Sequence, residues 1–128
     1  MTVEEELLVE GAHILTCDEA GTELTGDMAV RGRHVVAVGP DAHAAVSKSA
    51  RRLDARGMAL IPGFVQAHVH LAQALFRGMA DDVPLLEWLR RFIWPLEAAH
   101  DDECLAASAE LGLAEMLLAG TTTILDMG

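Results

Sequence analysis

The chain has 128 residues, of which 52% are hydrophobic, so it can bury a core and is not expected to be disordered. Its formal net charge of −11 argues against a nucleic-acid partner, because binding phosphate requires clustered lysines and arginines. We expect no membrane span, because no apolar run is long enough, and no signal peptide, because the N-terminus is not basic. Cys17 and Cys104 are expected to be reduced thiols in a cytoplasmic protein.

Short strands separated by glycine turns are predicted for the N-terminal part of the chain. The predicted elements are, in order, a strand pair or one bent strand broken at Gly11 (7–16), a turn (18–22), two strands (27–31 and 34–39) around a Gly32-Arg33 hairpin, a short helix or loop (40–49) and a turn at Arg56-Gly57.

An apolar run then leads through Pro62 and Gly63 to His68 and His70, and we predict a buried strand over residues 60–70. Side chains alternate along a strand, so the two histidines point the same way and can converge on one metal ion. Neutral imidazole is a common zinc ligand. The alternative is a half-exposed strand whose histidines bind nothing, but an unpaired ring on a strand that is apolar on both faces is costly.

Helical spacing replaces strand alternation after His70. A helical turn (71–78) precedes a helix that begins after Pro84 and ends or kinks at Pro95. A second helix is capped by Asp101 or Asp102 and ends at Gly120, before a strand at 121–127. The residues expected to be buried are Leu85, Leu86, Leu89, Phe92, Ile93 and Leu96 in the first helix, and Leu105, Ala109, Gly112, Leu113, Met116 and Leu117 in the second.

A strand–helix–strand order implies parallel pairing of the two strands. The two histidines then lie at the carboxyl end of the first strand, where α/β barrels carry their active sites.

The motif Pro62-Gly63-Phe64-Val65-x-x-His68-Val69-His70 resembles the first-strand signature of the amidohydrolase superfamily, which comprises metal-dependent hydrolases on a TIM barrel. Residues 119–123 are similar to the approach to the second barrel strand. Gln66 and Ala67 depart from the more usual Asn or Asp followed by a small hydroxyl residue. Three downstream segments are closest to the S-adenosylhomocysteine/5′-methylthioadenosine deaminase group: Leu75-Phe76-Arg77-Gly78, Leu85-Leu86-Glu87-Trp88-Leu89 and Trp94-Pro95-Leu96-Glu97.

The resemblance implies an α/β protein of two parts. Residues 1–58 would form the β-rich N-terminal segment of a composite β-sandwich, and residues 59–128 the first strand, helices and second strand of a TIM barrel. A complete barrel needs about 250 residues, so we expect an incomplete barrel. The remaining metal ligands and the general acid/base would lie on later strands, and the chain alone is expected to be inactive.

The implied activity is hydrolytic deamination of an adenosine-type nucleoside. By resemblance, His68 and His70 are ligands of one divalent metal ion, zinc, with iron or manganese as alternatives. Trp88 would pack on the nucleoside, and Glu97 would accept hydrogen bonds from the ribose hydroxyls. No residue of the chain is assigned as catalytic, and Asp126 is expected to be structural.

Two alternatives stay open. Leu71-Ala72-Gln73 has similar forms in guanine-type deaminases and triazine hydrolases of the same superfamily. The other alternative is a non-catalytic β-α fragment that associates through its open sheet edge. The expected partner is a small-molecule nucleoside or heterocyclic amine, without nucleic acid or membrane, and the full-length protein is expected to be a homo-oligomer.

Overall fold

The computed structural model describes residues 5–128, which divide after Pro62 into two compact units. The first unit is β-rich, and the second contains two strands and the α-helical segments. The chain is thus mixed α/β, as predicted. The assignment of residues 1–58 to a sandwich and 59–128 to a barrel stays a prediction. Residues 1–4, on which the expectation of no signal peptide partly depends, lie outside the described residues.

The first unit is one five-stranded sheet. Its strands are β1 (Glu6–Leu15), β2 (Glu23–Arg31), β3 (His34–Val38), β4 (Arg51–Asp54) and β5 (Ala59–Leu60). The order is β3-β2-β1-β4, and β5 also pairs with β1. The β1–β2 and β2–β3 pairs are antiparallel, whereas β4 and β5 run parallel to β1. The hairpin pairs Arg31 with His34, which confirms the turn predicted between them.

A β-bulge in β1 settles the two alternatives for this segment in favour of one bent strand. The register shifts between Val9 and Ala12, and Gly11 has a positive φ of 72°. The N–H of Gly11 donates to Oδ1 of Asp27 at 2.7 Å. The bulge adds one residue to the strand, which is why Val9 and Ala12 share a face although they are three positions apart.

The core of the first unit consists of small clusters on both faces of β1. Leu8 and Val9 are adjacent, so their buried side chains point to opposite faces. The clusters of buried residues are Val9, Ala12, Ile14 and Ala55 on one side and Leu8, Ala29 and Ala42 on the other. Ala42 belongs to a 3₁₀ turn, Ala42–Ala45, within the stretch predicted as a short helix or loop.

The second unit is built around two parallel strands. Its elements are β6 (Phe64–Val69), a 3₁₀ segment (Leu71–Phe76), α1 (Leu85–Trp88), a π turn (Leu89–Ile93), α2 (Trp94–Ala98), α3 (Asp102–Leu118) and β7 (Thr121–Asp126). The parallel pairing of β6 with β7 confirms the predicted strand–helix–strand order. Among residues 5–128, no helix combines the length and apolar character needed to cross a bilayer.

The predicted strand over residues 60–70 is in fact two strands. Leu60 pairs with Ile14 of β1, whereas β6 begins only at Phe64. Pro62 lacks an N–H group and cannot donate to a ladder, which explains the break. The expectation of burial was also wrong, since Phe64 is 53% and Val65 70% exposed. Within the described residues β6 has one partner strand, β7.

The predicted kink at Pro95 takes the form of a π turn. The N–H of Trp94 donates to the carbonyl of Leu89, five residues earlier. The wider turn accommodates the proline ring and its missing N–H without ending the helix. Pro84 is the N-cap, as expected for the start.

Burial along this helix follows the prediction only in its second half. Ile93 is buried, whereas the residues expected to be buried at the start, Leu85 and Leu86, are 66% and 59% exposed. Leu89, Phe92 and Leu96 are half-buried.

Helix α3 has the predicted ends. Asp101 is the N-cap, and its Oδ1 accepts a hydrogen bond from the N–H of Cys104 at 2.8 Å. Gly120 follows the helix with φ of 89°. A side-chain acceptor for an otherwise unpaired N–H stabilises a helix start, and glycine adopts positive φ without strain.

The buried face of α3 consists of small residues, so the predicted apolar stripe is partly wrong. Leu105, Leu113 and Leu117 are exposed, whereas Ser108 is fully buried. Ala109, Gly112 and Met116 are half-buried, as expected. The helix packs against the 3₁₀ segment, and a Cβ at Gly112 would lie 3.2 Å from Cδ2 of Leu71. This close approach requires small side chains on the face of α3 that contacts the 3₁₀ segment, and Leu105, Leu113 and Leu117 are exposed instead.

We predict that Gly63→Ala destabilises the second unit by about 1–3 kcal/mol, the cost of overpacking. A Cβ at Gly63 would lie 2.2 Å from Cγ2 and Oγ1 of Thr122 and 2.7 Å from its Cβ, so rotating the threonine does not remove the clash. Urea unfolding followed by tryptophan fluorescence reports on this unit, which contains both tryptophans.

Gly26→Ala is the matched control, because its Cβ would meet only ordinary contacts of 3.5 Å or longer. Equal unfolding midpoints for the two variants would contradict the close packing of Gly63 on Thr122.

Candidate functional site

His68 and His70 lie at the carboxyl end of β6 with their rings on the same side, as predicted. Their Nε2 atoms are 3.0 Å apart. The ring centroids are separated by 5.0 Å, and the ring planes meet at 66°. His68 lies within the strand and His70 directly follows it, so the alternation of a strand directs both side chains to one face.

A backbone carbonyl fixes the tautomer of His70. Its Nδ1 lies 3.1 Å from the carbonyl oxygen of Gly128. A carbonyl oxygen can only accept, so Nδ1 carries the proton and Nε2 presents its lone pair towards His68. Ligand histidines commonly donate their other ring N–H to such an acceptor.

The spacing of the two Nε2 atoms is compatible with two ligands of one zinc ion. Two nitrogens at ~2.0–2.1 Å from a tetrahedral zinc ion are about 3.3 Å apart, close to the spacing of this pair. A catalytic zinc site usually has three protein ligands. Within residues 5–128, no group of three or more His, Cys, Asp or Glu side chains is placed to hold a metal ion.

An open cavity of about 820 Å³ brings Trp88 together with the histidine pair. Glu97 lies elsewhere, in a smaller cavity of about 320 Å³ beside His100. Gln73, which lines the larger cavity, donates from Nε2 to Oε1 of Glu97 at 2.9 Å. Three of the four sequence-predicted residues, His68, His70 and Trp88, therefore line the larger cavity. The fourth, Glu97, lies outside it and is hydrogen-bonded to Gln73, which lines it.

Sequence reasoning expected Asp126 to be structural but did not identify the contacts that hold the segment after His70. The fully buried hydroxyl of Ser108 donates to the carbonyl of Leu71 at 2.7 Å, and Oδ1 of Asp126 accepts from the N–H of Leu71 at 3.1 Å. The ring of His100 stacks on Phe76 with centroids 4.9 Å apart. The sequence offered one indication of the role of Ser108: it is a polar residue on the face of the predicted helix that carries small side chains.

An ion pair between Arg77 and Glu115 lines the larger cavity. Nη2 of Arg77 lies 2.6 Å from Oε2 of Glu115 on α3. The hydrogen bond and charge of Arg77 lower the pKa of the Glu115 carboxyl below its ordinary 4.5, and Glu115 raises the pKa of Arg77. Both side chains are partly exposed, so the pair contributes only modestly to the stability of the fold.

Residues 59–128 match the amidohydrolase family, so the chain belongs to that family. This confirms the resemblance seen in the histidine motif and in the segments that follow it.

Two curated relatives are deaminases of adenosine-type compounds. The chain is 40% identical over 124 residues to a 5-methylthioadenosine/S-adenosylhomocysteine deaminase from Syntrophobacter fumaroxidans, covering 95% of this chain and 28% of that protein. It is 38% identical over 115 residues to a 5′-deoxyadenosine deaminase from Methanococcus maripaludis, covering 89% of this chain and 27% of that protein. The chain thus spans little more than a quarter of these relatives' length.

Two solved structures with zinc share the fold of the chain. An adenosine deaminase from Xanthomonas campestris with bound zinc superposes with a TM-score of 0.83 at 36% identity, covering 97% of this chain and 29% of that one. An atrazine chlorohydrolase from Arthrobacter aurescens TC1 complexed with zinc gives a TM-score of 0.80 at 29% identity, covering 94% and 28%.

The ion pair between Arg77 and Glu115 predicts a pH-dependent contribution to stability. The pKa of Glu115 is lowered in the folded state, so its contribution is present above the ordinary value of 4.5 and is lost as the pH falls through the lowered value. Glu115→Gln should therefore unfold somewhat more easily than the wild type near pH 7, and the two should converge as the pH falls through the lowered pKa of Glu115.

The measurement is the urea midpoint of both proteins across this pH range. Glu110→Gln, an exposed change on the same helix, is the control and should follow the wild type throughout. A difference between Glu115→Gln and the wild type that persists unchanged at low pH would contradict the ion-pair explanation.

Proposed function

We propose that this chain provides the first part of the active site of a metal-dependent aminohydrolase that deaminates an adenosine-type nucleoside, such as S-adenosylhomocysteine or methylthioadenosine. The observation that carries the proposal is the His68–His70 pair, with Nε2 atoms 3.0 Å apart at the carboxyl end of a parallel strand. The identity of about 40% with deaminases of such nucleosides supports the choice of substrate.

The fold proposed for the complete protein is a TIM barrel with a composite β-sandwich. In this proposal β6 and β7 are the first two barrel strands, and the sheet of the first unit is part of the sandwich. The parallel pairing of β6 and β7 supports the first part, because barrel strands are parallel.

The proposed metal is zinc, with iron or manganese as alternatives, and His68 and His70 are two of its ligands. Zinc is bound in two similar structures, and the spacing of the imidazole nitrogens also supports this choice. Bound zinc supplies the Lewis acidity that makes hydroxide accessible from water near neutral pH. The further ligands and the general acid/base would come from a segment that corresponds to the remainder of the longer relatives.

The chain's own residues orient the nucleoside in this proposal. Trp88 packs its ring on the substrate in the cavity that it shares with the histidine pair. Glu97 accepts hydrogen bonds from the ribose hydroxyls. Gln73 already donates to Oε1 of Glu97, so Oε2 is left to accept from the sugar.

The reaction exchanges an amino group for a hydroxyl group on an electron-poor ring. Water supplies both the hydroxide that forms the new C–O bond at the amino-bearing carbon and the proton that the amino group gains as the C–N bond breaks and it leaves as ammonia. The partner is a small molecule, and the net charge of −11 supports the absence of nucleic acid. A cytoplasmic location and a homo-oligomeric full-length protein remain part of this proposal.

A second candidate is another amidohydrolase reaction on a nitrogen heterocycle, as in a guanine-type deaminase or triazine hydrolase. The observation that favours it is the TM-score of 0.80 with an atrazine chlorohydrolase, close to the 0.83 with an adenosine deaminase. Such a substrate has no ribose, so Glu97 would then have no sugar to bind.

The first test uses a chimera in which this chain replaces the matching 124-residue segment of the Syntrophobacter deaminase. We expect the chimera to release ammonia from S-adenosylhomocysteine, and His68→Ala to lower the rate by at least about 100-fold with a parallel loss of bound zinc. His34→Ala, an exposed histidine on β3, should change the rate by less than about twofold. Retention of both rate and zinc in His68→Ala would refute the proposed ligand.

The second test separates the two candidate functions. In the chimera, Glu97→Gln should raise KM for a nucleoside by about 10- to 150-fold, because a charge-assisted hydrogen bond contributes roughly 1.5–3 kcal/mol. KM for free adenine should change little. Equal effects on nucleoside and free base would remove Glu97 from a ribose site and favour the second candidate.

A further inference from the structure

Leu71, the residue that follows His70, is held through both of its backbone polar groups. Its N–H donates to Oδ1 of Asp126 at 3.1 Å. The carbonyl of Leu71 accepts from Oγ of Ser108 at 2.7 Å, and Ser108 is fully buried. Both polar groups of one residue are thus bound by side chains that come from β7 and α3, respectively.

The hydrogen bond of Asp126 replaces a bond that the backbone cannot provide there. Leu71 begins a 3₁₀ segment, and the first N–H groups of such a segment have no partner within it. The preceding residue, His70, makes no side-chain cap. Asp126 therefore caps the segment from the neighbouring strand.

Two further bonds connect the same ends of β6 and β7. The N–H of Met127 donates to the carbonyl of Val69 at 2.8 Å, and Nδ1 of His70 donates to the carbonyl of Gly128 at 3.1 Å. Val69, which ends β6, and the two residues after it, His70 and Leu71, thus each form a hydrogen bond with one of residues 126–128. The carboxylate of Asp126 is the only side-chain acceptor among these three contacts.

The bond to Leu71 bears on the orientation of His70 through its backbone. His70 has φ −125° and ψ 90°, and its ψ sets the plane of the peptide that carries the N–H of Leu71. When that N–H is held by Asp126, ψ is restrained and the Cα–Cβ direction of His70 is fixed relative to β7. The ring then keeps Nδ1 at the Gly128 carbonyl and Nε2 at His68.

We propose that Asp126 is a positioning residue for His70, which it holds in the metal-binding orientation through the N–H of Leu71. This inference rests on the proposed role of His68 and His70 as metal ligands. Asp126 itself does not bind the metal in this proposal. Loss of an outer partner of a ligand histidine lowers metal affinity by about 10–100-fold.

The test is a Zn²⁺ titration of the chain, followed by the ring resonances of His68 and His70 in long-range ¹H–¹⁵N spectra. These spectra also report which ring nitrogen of His70 carries the proton. We expect Asp126→Ala to weaken Zn²⁺ binding at least about 10-fold and to reduce the fraction of His70 protonated on Nδ1. Asp126→Asn keeps an oxygen that can accept from Leu71, so its affinity should stay within about threefold of the wild type.

Asp101→Ala is the matched control. It removes another aspartate oxygen that accepts one backbone N–H, at 2.8 Å, but at the start of α3 rather than beside His70. It should lower the unfolding midpoint while leaving the Zn²⁺ affinity and the His70 tautomer unchanged.

The outcomes separate this inference from the proposed function. If His70→Ala abolishes Zn²⁺ binding but Asp126→Ala does not weaken it, the positioning role is wrong and the metal site stands. Equal losses of affinity in Asp126→Ala and Asp101→Ala would also overturn the positioning role, because they would reflect stability alone. If neither the wild-type chain nor the chimera binds Zn²⁺ in a way that depends on His68 and His70, the metal site fails and this inference fails with it.

Discussion

The parallel pairing of β6 with β7 is the constraint from which the arrangement of the candidate site follows. Parallel strands bring their carboxyl ends to the same edge, so the residues that end β7 meet the two histidines that end β6. The pairing in turn depends on Gly63, where any side chain would collide with Thr122. The absence of a side chain at Gly63, just before β6, thus permits the contacts at the opposite, carboxyl end of the strand.

Small residues on α3 are the second requirement. Ser108 and Gly112 leave room for the 3₁₀ segment to lie against the helix, and the hydroxyl of Ser108 binds the segment's first carbonyl. A buried hydroxyl without a partner would be costly, so this bond also determines where the segment sits. Arg77 and Glu115 fix the far end of the same segment. The residues after His70 are therefore held by side chains at both ends.

The similar structures show that one fold occurs in enzymes with different named activities. An adenosine deaminase and an atrazine chlorohydrolase, both with zinc, share the architecture of this chain to nearly the same degree. The strand end with its two histidines is a feature on which either chemistry can be built. The two residues proposed to contact the substrate have different surroundings: Trp88 lines the main cavity, whereas Glu97 lines the smaller one and accepts a hydrogen bond from Gln73.

The sequence by itself determined the local features and the family. Glycine turns, the hairpin at residues 32–33, the cap at Asp101 and the same-side placement of His68 and His70 all follow from propensities and periods that act over a few residues. Only the tertiary structure decided which apolar residues are buried, because α3 is apolar on several faces and its neighbour selects the small ones. It also decided that Pro62 divides two strands between two units, and that Asp126 and Ser108 meet at Leu71. Those contacts join residues 37 and 55 positions apart, a separation at which no local pattern in the sequence can indicate a partner.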